Sequence, residues 1–334
     1  MFRKRWFTIL LIIFIVLAIV YLLGPHPETP VYAKALPAVP SNPAALEHYI
    51  DSNEAQHTLK PNNEARIVWF DSAKTKTEYA IVYLHGFSAS QEEGRPIHTN
   101  IAGEFGCNLY LSRLAEHGID TIQPMINLTP EKLWESARQA LAIGKQIGNK
   151  VILMSTSTGS TLALKLAADY PNDVDALVMM SPNIAIFDSR SFLLNNPWGL
   201  QIARTLTGSH YITAGDTSAV YKQYWYSQYP LEAATQLQEL IETTMNKASF
   251  EKVKQPVLML YYYKDNVHQD SVVSVPAMLK MFDELGAGKK TKIAMPNVGN
   301  HVMGSYIKSK DLLDVQQAIE KFMERTLGMK KAGQ

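Results

Sequence analysis

The chain is nearly devoid of cysteine, carries almost no excess charge of either sign and shows no cofactor-binding motif. Cys107 is the only cysteine, so no internal disulfide can form and the fold must depend on its apolar core. Lysine and arginine number 32 against 31 aspartates and glutamates, a formal net charge of +1, which gives no argument for nucleic acid or another strongly anionic partner. No phosphate-binding loop, dinucleotide fingerprint or metal-ligand spacing is present, and we therefore expect neither a cofactor nor a metal.

Strand-like and helix-like runs alternate along most of the chain, which predicts an α/β fold with a doubly wound, mostly parallel sheet. The 334 residues, of which 46% are apolar, suffice for one sizeable domain of this class. The expected strands lie near residues 66–70, 79–84, 119–123, 151–155, 175–180, 256–262 and 291–295. The expected helices cover residues 109–117, 158–170, 230–245 and 311–327, with a further helix that begins at Thr129-Pro130.

The alternation stops between Pro182 and Pro256, where about seventy residues pass before the next strand. This segment is rich in aromatic side chains. We interpret residues 183–255 as a cap insertion, in which most of the rings are expected to be structural.

The most informative stretch of the chain is Ser155-Thr156-Ser157-Thr158-Gly159, between the strand-like run 151–154 and the helix-like run 160–168. A serine at such a strand-to-helix corner has a strained backbone, and its hydroxyl projects above the sheet edge at the positive end of the helix. The pattern is Gly-x-Ser-x-Gly with Ser155 in place of the first glycine. It predicts Ser157 as a nucleophile.

A serine hydroxyl needs a positioned base, normally a histidine held by a carboxylate. Three histidines follow Ser157 in the chain, namely His210, His268 and His301. His301 lies in a loop between the strand-like run 292–295 and the C-terminal helix, so it can reach over the sheet edge. We take His301 as the predicted base.

The predicted carboxylate is Asp265, which ends the apolar run 256–263 and so lies at the carboxyl edge of the sheet. The candidates then follow in the chain order serine, aspartate, histidine. Asp270 and Asp188 remain alternatives to Asp265. His268, a few residues after Asp265, is interpreted as a surface or pocket-rim group.

The negative oxygen of a tetrahedral intermediate needs hydrogen-bond donors, usually two backbone amides. His85-Gly86-Phe87 follows the strand-like run 79–84, and the glycine lets the backbone turn toward the same edge. The amides of Phe87 and Thr158 are the predicted donors.

On these motifs the chain resembles the α/β-hydrolase family, in its serine esterase and lipase branch. The likeness runs from about residue 66 to residue 327, with Ser155 for glycine as its one departure. The resemblance implies an α/β-hydrolase fold whose cap covers the active site and shapes the substrate pocket, so the aromatic cap suggests an apolar or amphipathic substrate. It assigns the nucleophile to Ser157, the acid to Asp265, the base to His301, and the oxyanion donors to Phe87 and Thr158.

The amino terminus predicts a membrane anchor. Basic residues 3–5 precede an uncharged apolar run from Trp6 to Leu23, whose 18 residues can cross a bilayer as a helix. We expect residues 1–23 to form a signal-anchor, residues 24–60 a proline-rich tether and lead-in that holds the enzyme off the membrane, and residues 61–334 the catalytic domain. The basic flank predicts a single-pass protein with this domain outside the cytoplasm, and cleavage followed by secretion is the alternative.

The sequence therefore predicts a membrane-tethered serine hydrolase of carboxylic esters that acts through an acyl-enzyme, with a small ester or lipid as its substrate. A peptidase or a thioesterase on the same triad is one alternative. A catalytically silent hydrolase fold that binds a lipid or a protein is another, and the altered position Ser155 is its only support.

Overall fold

The computed structural model describes residues 2–333, and the expected anchor and catalytic domain extend beyond that range by one residue each. The helices are α1 (Phe2–Leu22), α2 (Pro43–Glu54), α3 (Ile97–Glu104), α4 (Pro130–Ile147), α5 (Thr158–Asp169), α6 (Gly199–Thr207), α7 (Ala219–Tyr224), α8 (Leu231–Thr244), α9 (Lys247–Phe250), α10 (Val275–Glu284) and α11 (Leu312–Arg325). The strands are β1 (Arg66–Val68), β2 (Thr77–Leu84), β3 (Asn108–Leu111), β4 (Gly148–Thr156), β5 (Ala176–Met180), β6 (Tyr211–Thr213), β7 (Gln228–Pro230), β8 (Val257–Tyr261) and β9 (Lys290–Ala294). Two short 3-10 helices cover Gln91–Gly94 and Ser191–Leu193.

Seven strands form one sheet in the order β1-β3-β2-β4-β5-β8-β9. All neighbours in this sheet are parallel except β1, which pairs antiparallel with β3. The carboxyl ends of β2, β4, β5 and β8 therefore lie along one edge, which is where ligands bind in open α/β sheets. The predicted doubly wound, mostly parallel sheet is confirmed.

The sheet is covered on both faces, as the strand sequences require. In β2 the side chains of Ala80, Val82 and Leu84 join the apolar cluster under α4, α5 and α10, whereas Ile81 and Tyr83 join the cluster under α3 and α11. This alternation follows from the two-residue period of a strand, and a strand buried on both faces is apolar at every position.

One part of the expected element order is wrong. Residues 109–117 do not form a helix and residues 119–123 do not form a strand; the strand is β3, whose residues pair with β1 on one side and β2 on the other. All four side chains of β3 are buried, because α4 covers one face of this strand and α3 the other, and its apolar run resembles a short helix segment. Pairing with β1 and β2 therefore makes these residues a strand instead of the expected helix.

The segment between β5 and β8 forms four helices and a small two-stranded sheet. It contains α6, α7, α8 and α9 together with the antiparallel pair of β6 and β7. We call the residues from 183 to 255 the cap. Its longest helix, α8, packs on α4 and α5, and α6 packs on α8.

The proline-rich segment after α1 lies against the domain. The indole of Trp134 donates to the carbonyl of Ala33 over 2.8 Å, and the hydroxyl of Tyr170 donates to that of Lys34 over 2.9 Å. The apolar helix before it is a candidate membrane span over Arg5–Leu22, by length and composition, and none of that window is buried against the rest of the protein.

Candidate functional site

Ser157 occupies the corner between β4 and α5. Its backbone has φ of 53° and ψ of −120°, a strained conformation for a residue other than glycine, and its amide donates to the carbonyl of Met180 over 3.0 Å. Gly159 makes the corner possible, because a Cβ there would lie 2.0 Å from the carbonyl oxygen of Leu84. The sequence therefore places a serine hydroxyl at the amino end of a helix and at the carboxyl edge of the sheet.

Ser155, the departure from the usual pattern, fits the corner without an unpaired polar group. Its side chain is fully buried, and its hydroxyl lies 2.9 Å from that of Ser160. A small hydroxyl with a buried partner replaces the first glycine, so this position gives no argument against a working corner.

His301 and Asp270 form a buried pair beside this corner. Nδ1 of His301 lies 2.6 Å from Oδ2 of Asp270, and Oδ1 of Asp270 accepts from the amides of Val272 and Val273 over 2.9 and 3.0 Å. The carbonyl of His301 accepts from the hydroxyl of Ser181 over 2.8 Å. Because Ser181 directly follows Met180, which binds the amide of Ser157, the end of β5 holds both the serine corner and the histidine loop.

The charges of this pair shift both pKa values. Burial alone would lower the pKa of His301, but the carboxylate of Asp270, with a contribution from Glu93, raises it above its ordinary value. Burial alone would raise the pKa of Asp270, but the charge and hydrogen bond of His301 hold it below its ordinary value. The arrangement favours an ionised aspartate that orients and stabilises a protonated imidazole.

Asp265, the carboxylate expected from the sequence, does not contact His301. Its oxygens lie 2.9 and 3.0 Å from Nδ1 of His268, and it accepts from the backbone amides of Val267 and His268. Both side chains of this pair are exposed. The other alternative, Asp188, binds Arg190 at the rim of the cavity described below. The expected contact between Asp265 and His301 is therefore wrong, and the alternative Asp270 occupies that position.

Asp270 rather than Asp265 contacts His301 because the chain makes a small excursion after β8. Tyr263 and Gln269 face each other in an antiparallel bridge, and the amide of Lys264 donates to the carbonyl of His268. Residues 264–268 form the exposed tip of this excursion. The chain then returns, and the amide of Asp270 donates to the carbonyl of Tyr262, so Asp270 rather than Asp265 lies beside the end of the strand.

The loop after β2 brings Phe87 to the same place. His85 fixes the loop through Nε2, which accepts from the amide of Leu114 over 3.0 Å, and the ideal Cβ position of Gly86 lies 3.0 Å from Cβ of Ser157. Among residues 2–333, neither the amide of Phe87 nor that of Thr158 donates a hydrogen bond to another protein group. Both amides are therefore available to a ligand next to Ser157.

Glu93 is a buried carboxyl group in the site that the sequence analysis missed. Its Oε2 accepts from the amide of Gly86 over 2.5 Å, and its side chain also accepts from that of Trp225 in the cap. Burial raises the pKa of Glu93 to about 7, although these hydrogen bonds and the charge of His301 oppose the rise. The Ser-x-x-Glu pattern from Ser90 to Glu93 indicates only a helix start, so no sequence signal pointed to a buried acid.

A cavity of about 700 Å³ connects these groups. Ser157, His301, Phe87 and Glu93 line it, and most of the remaining lining comes from cap residues, which are mostly apolar. Its volume is within the range of small-molecule sites, and its lining suits an apolar ligand. Within residues 2–333 no group of three or more histidine, cysteine, aspartate or glutamate side chains is arranged to hold a metal ion.

Comparison with known proteins shows a likeness in structure but not in sequence. No protein-family model matches the chain, and no curated protein matches it. A structure from the work on LipS and LipT, two metagenome-derived lipolytic enzymes, is 16% identical with a TM-score of 0.65, over 80% of this chain and 100% of its own. Paleococcus ferrophilus monoacylglycerol lipase is 14% identical with a TM-score of 0.57, over 78% and 98%. Est1E from Butyrivibrio proteoclasticus, with ferulic acid bound, is 15% identical with a TM-score of 0.56, over 79% and 95%. At such identities the likeness establishes architecture, and the chain has the α/β-hydrolase fold.

Proposed function

We propose that the protein is a serine hydrolase of carboxylic esters, with Ser157 as nucleophile, His301 as general base and Asp270 as the residue that orients the imidazole. The observation that carries this proposal is the buried 2.6 Å pair of His301 and Asp270, in one cavity with the strained Ser157 corner. The structural neighbours named as lipases and esterases support an ester as the substrate class.

In this mechanism His301 removes the proton from the hydroxyl of Ser157 as its oxygen attacks the ester carbonyl. The amides of Phe87 and Thr158 donate to the negative oxygen of the tetrahedral intermediate, and loss of one such donor would cost about 3 kcal/mol of barrier. His301 then gives its proton to the departing alcohol. Water, deprotonated by the same imidazole, attacks the acyl-enzyme and releases the acid together with the free serine.

In this mechanism Glu93 is a positioning residue, which acts through Gly86 and His301. Its carboxyl group holds the amide of Gly86 next to the proposed donor Phe87, and its negative charge favours the protonated form of His301. It also links the loop after β2 to Trp225 of the cap.

The cavity favours an ester with an apolar acyl or alcohol part, since cap side chains such as Leu193, Ile202 and Leu237 line it. The same three catalytic residues serve a thioesterase or a peptidase, so relative rates on matched ester, thioester and amide substrates decide among them. The apolar helix at the amino terminus holds the enzyme to a membrane in this proposal, and its basic flank orients the domain away from the cytoplasm.

The test uses the full chain in detergent. A fluorophosphonate should label wild-type protein at Ser157, Ser157→Ala should abolish both labelling and p-nitrophenyl ester turnover, and Ser52→Ala, at an exposed serine on α2, should change neither. Equal ester turnover in wild type and Ser157→Ala would refute the assignment.

A further inference from the structure

The end of the apolar helix is attached to the cap. Nε1 of Trp198 donates to the carbonyl of Val20 over 3.0 Å, and the backbone amide of Trp198 donates to the carbonyl of Pro25 over 2.9 Å. Gly24 leaves room for the indole, because a Cβ there would lie 2.1 Å from Nε1 of Trp198. Two hydrogen bonds and a packed ring therefore fix the cap to the point where a membrane-spanning α1 would leave the bilayer.

The same point is close to the catalytic cavity. A small cleft is lined by Pro25, His26 and Pro27 on one side and by Leu194 and Leu200 of the cap on the other. Leu194 also lines the catalytic cavity. The cleft beside the segment that follows α1 and the cavity that contains Ser157 therefore share Leu194 as a lining residue.

Large apolar side chains are exposed on this part of the cap. Phe192 is 52% exposed in the short helix next to Leu194, and Leu206 is 73% exposed on α6, which begins directly after Trp198. Ile202, one turn before Leu206, is also exposed, and both of these side chains line the cavity as well. An exposed apolar rim around a cavity marks a surface that a partner covers.

The segment that follows α1 holds the end of that helix close to the domain. The carbonyls of Ala33, Lys34 and Ala35 accept from Trp134, Tyr170 and Arg138, so the chain stays on the domain surface. A tryptophan at the end of a membrane-spanning helix is typical of the membrane–water interface. Here the cap supplies that tryptophan.

We propose that the cap lies on the bilayer, with the exposed side chains around Phe192 and Leu206 in the headgroup region, so that an ester lipid enters the cavity directly from the membrane that holds α1. The inference rests on the proposed ester hydrolysis and specifies the source of the substrate. The partner is the lipid surface itself, which accepts apolar side chains at an interface that also contains α1.

The first test measures the depth of the cap. Cys107 is buried, and burial raises the pKa of its thiol to about 12, so an introduced surface cysteine can be labelled selectively. The full-length Phe192→Cys variant, labelled with NBD in phosphatidylcholine nanodiscs, should show blue-shifted emission and quenching by lipids with a doxyl group near the headgroup. Label on Leu313→Cys, at an exposed leucine of α11 on the opposite face of the sheet, should show neither. Equal quenching at the two positions, or none at Phe192→Cys, would overturn the proposal.

The second test separates entry of substrate from chemistry. In the same nanodiscs, Phe192→Glu should lower turnover of a bilayer-embedded long-chain ester about tenfold, because a charged side chain weakens contact with the interface. Turnover of water-soluble p-nitrophenyl acetate should be unchanged, since Phe192 does not line the cavity. Leu313→Glu should affect neither substrate. If Phe192→Glu lowers turnover of both substrates equally, or of neither, entry from the membrane is contradicted. The proposed chemistry is judged separately, by whether turnover of p-nitrophenyl acetate depends on Ser157.

Discussion

The loop after β8 supplies the aspartates of two aspartate–histidine pairs, and the two pairs differ in sequence separation and in burial. Asp265 and His268 lie 2.9 Å apart, three positions from each other in the sequence, and both are exposed to solvent. Asp270 and His301 lie 2.6 Å apart, 31 positions from each other, and both are buried. The comparison shows that a short contact between acid and base does not by itself identify a catalytic pair. We assign the catalytic role to Asp270 and His301 because this pair is buried and lines one cavity with the proposed nucleophile Ser157.

The physical difference is what each carboxylate contributes. Asp265 mainly stabilises its own turn: the hydrogen bond from the backbone amide of His268, more than its imidazole, lowers the pKa of Asp265 to about 2. Water screens the remaining charge interaction. Asp270 contacts a buried imidazole: burial opposes its protonation, but the charge of Asp270 raises the pKa of His301 and so favours the protonated form that the proposed reaction uses.

The largest expected difference is between the two histidines. His301→Gln should lower kcat/KM for a p-nitrophenyl ester by about 10⁴-fold or more, because no base remains for Ser157. His268→Gln should leave kcat/KM unchanged, since that side chain is exposed and contacts only the loop tip. Steady-state kinetics on both variants measures the contrast, and a comparable loss for His268→Gln would reverse our assignment.

The two aspartates should differ in the same direction by a smaller factor. Asp270→Asn should lower kcat by about 10³-fold, because the amide can hold the imidazole in the wrong tautomer and cannot stabilise its positive charge. Asp265→Asn is the matched control and should retain wild-type kcat. Equal losses of activity in the two variants would mean that the loop rearranges during catalysis. They would contradict the different roles that we assign to Asp270 and Asp265.

Most of the architecture, the Ser157 corner and the loop that carries His301 could be predicted from the sequence, because they depend on local patterns. The strand before Ser157, the small residues around it and the helix after it are contiguous, so one window contains the whole corner. His301 was identified by the loop between β9 and α11. The choice between Asp265 and Asp270 depended instead on the residue at which the chain after β8 turns back. The position of the end of β8 does not reveal that residue. The turn-forming residues Asp265 and Asn266 at its tip were the available signal.

Glu93 and the attachment of α1 to the cap depend on contacts between distant parts of the chain. Glu93 is buried, and it contacts Gly86 after β2 and Trp225 of the cap, which lies far away in the sequence. Trp198 meets Val20 across 178 positions of sequence. No periodicity or motif encodes such contacts, so the sequence predicted an anchor and a cap but no link between them.

Glu93 offers a third carboxyl group that sharpens the comparison, since it is buried like Asp270 but acts on His301 without a direct hydrogen bond. Its negative charge raises the pKa of His301, so Glu93→Gln should shift the acid limb of the kcat/KM profile toward lower pH, where His301 then becomes neutral. We expect kcat to fall only a few-fold, because glutamine can still accept from the amide of Gly86. Asp265→Asn should not move the limb. A limb displaced toward higher pH would contradict the assigned sign.

The smallest expected effect concerns stability and tests the view that the exposed pair is solvated. Because the pKa of Asp265 is lower in the folded protein than in the unfolded chain, its ionised form stabilises the fold above the ordinary aspartate pKa, and this contribution is lost as the pH falls through about 2. Asp265→Asn should therefore lower Tm slightly near pH 7 and by less near pH 3, where the wild-type carboxylate has begun to lose its advantage.

Screening by water should keep the shift near pH 7 below that of Asp270→Asn, which replaces a buried partner of His301. Thermal unfolding of both variants at the two pH values makes the comparison. An equal loss of Tm near pH 7 would mean that the loop tip, despite its exposure, holds the base of the excursion in place, and that the two pairs act as one structural unit.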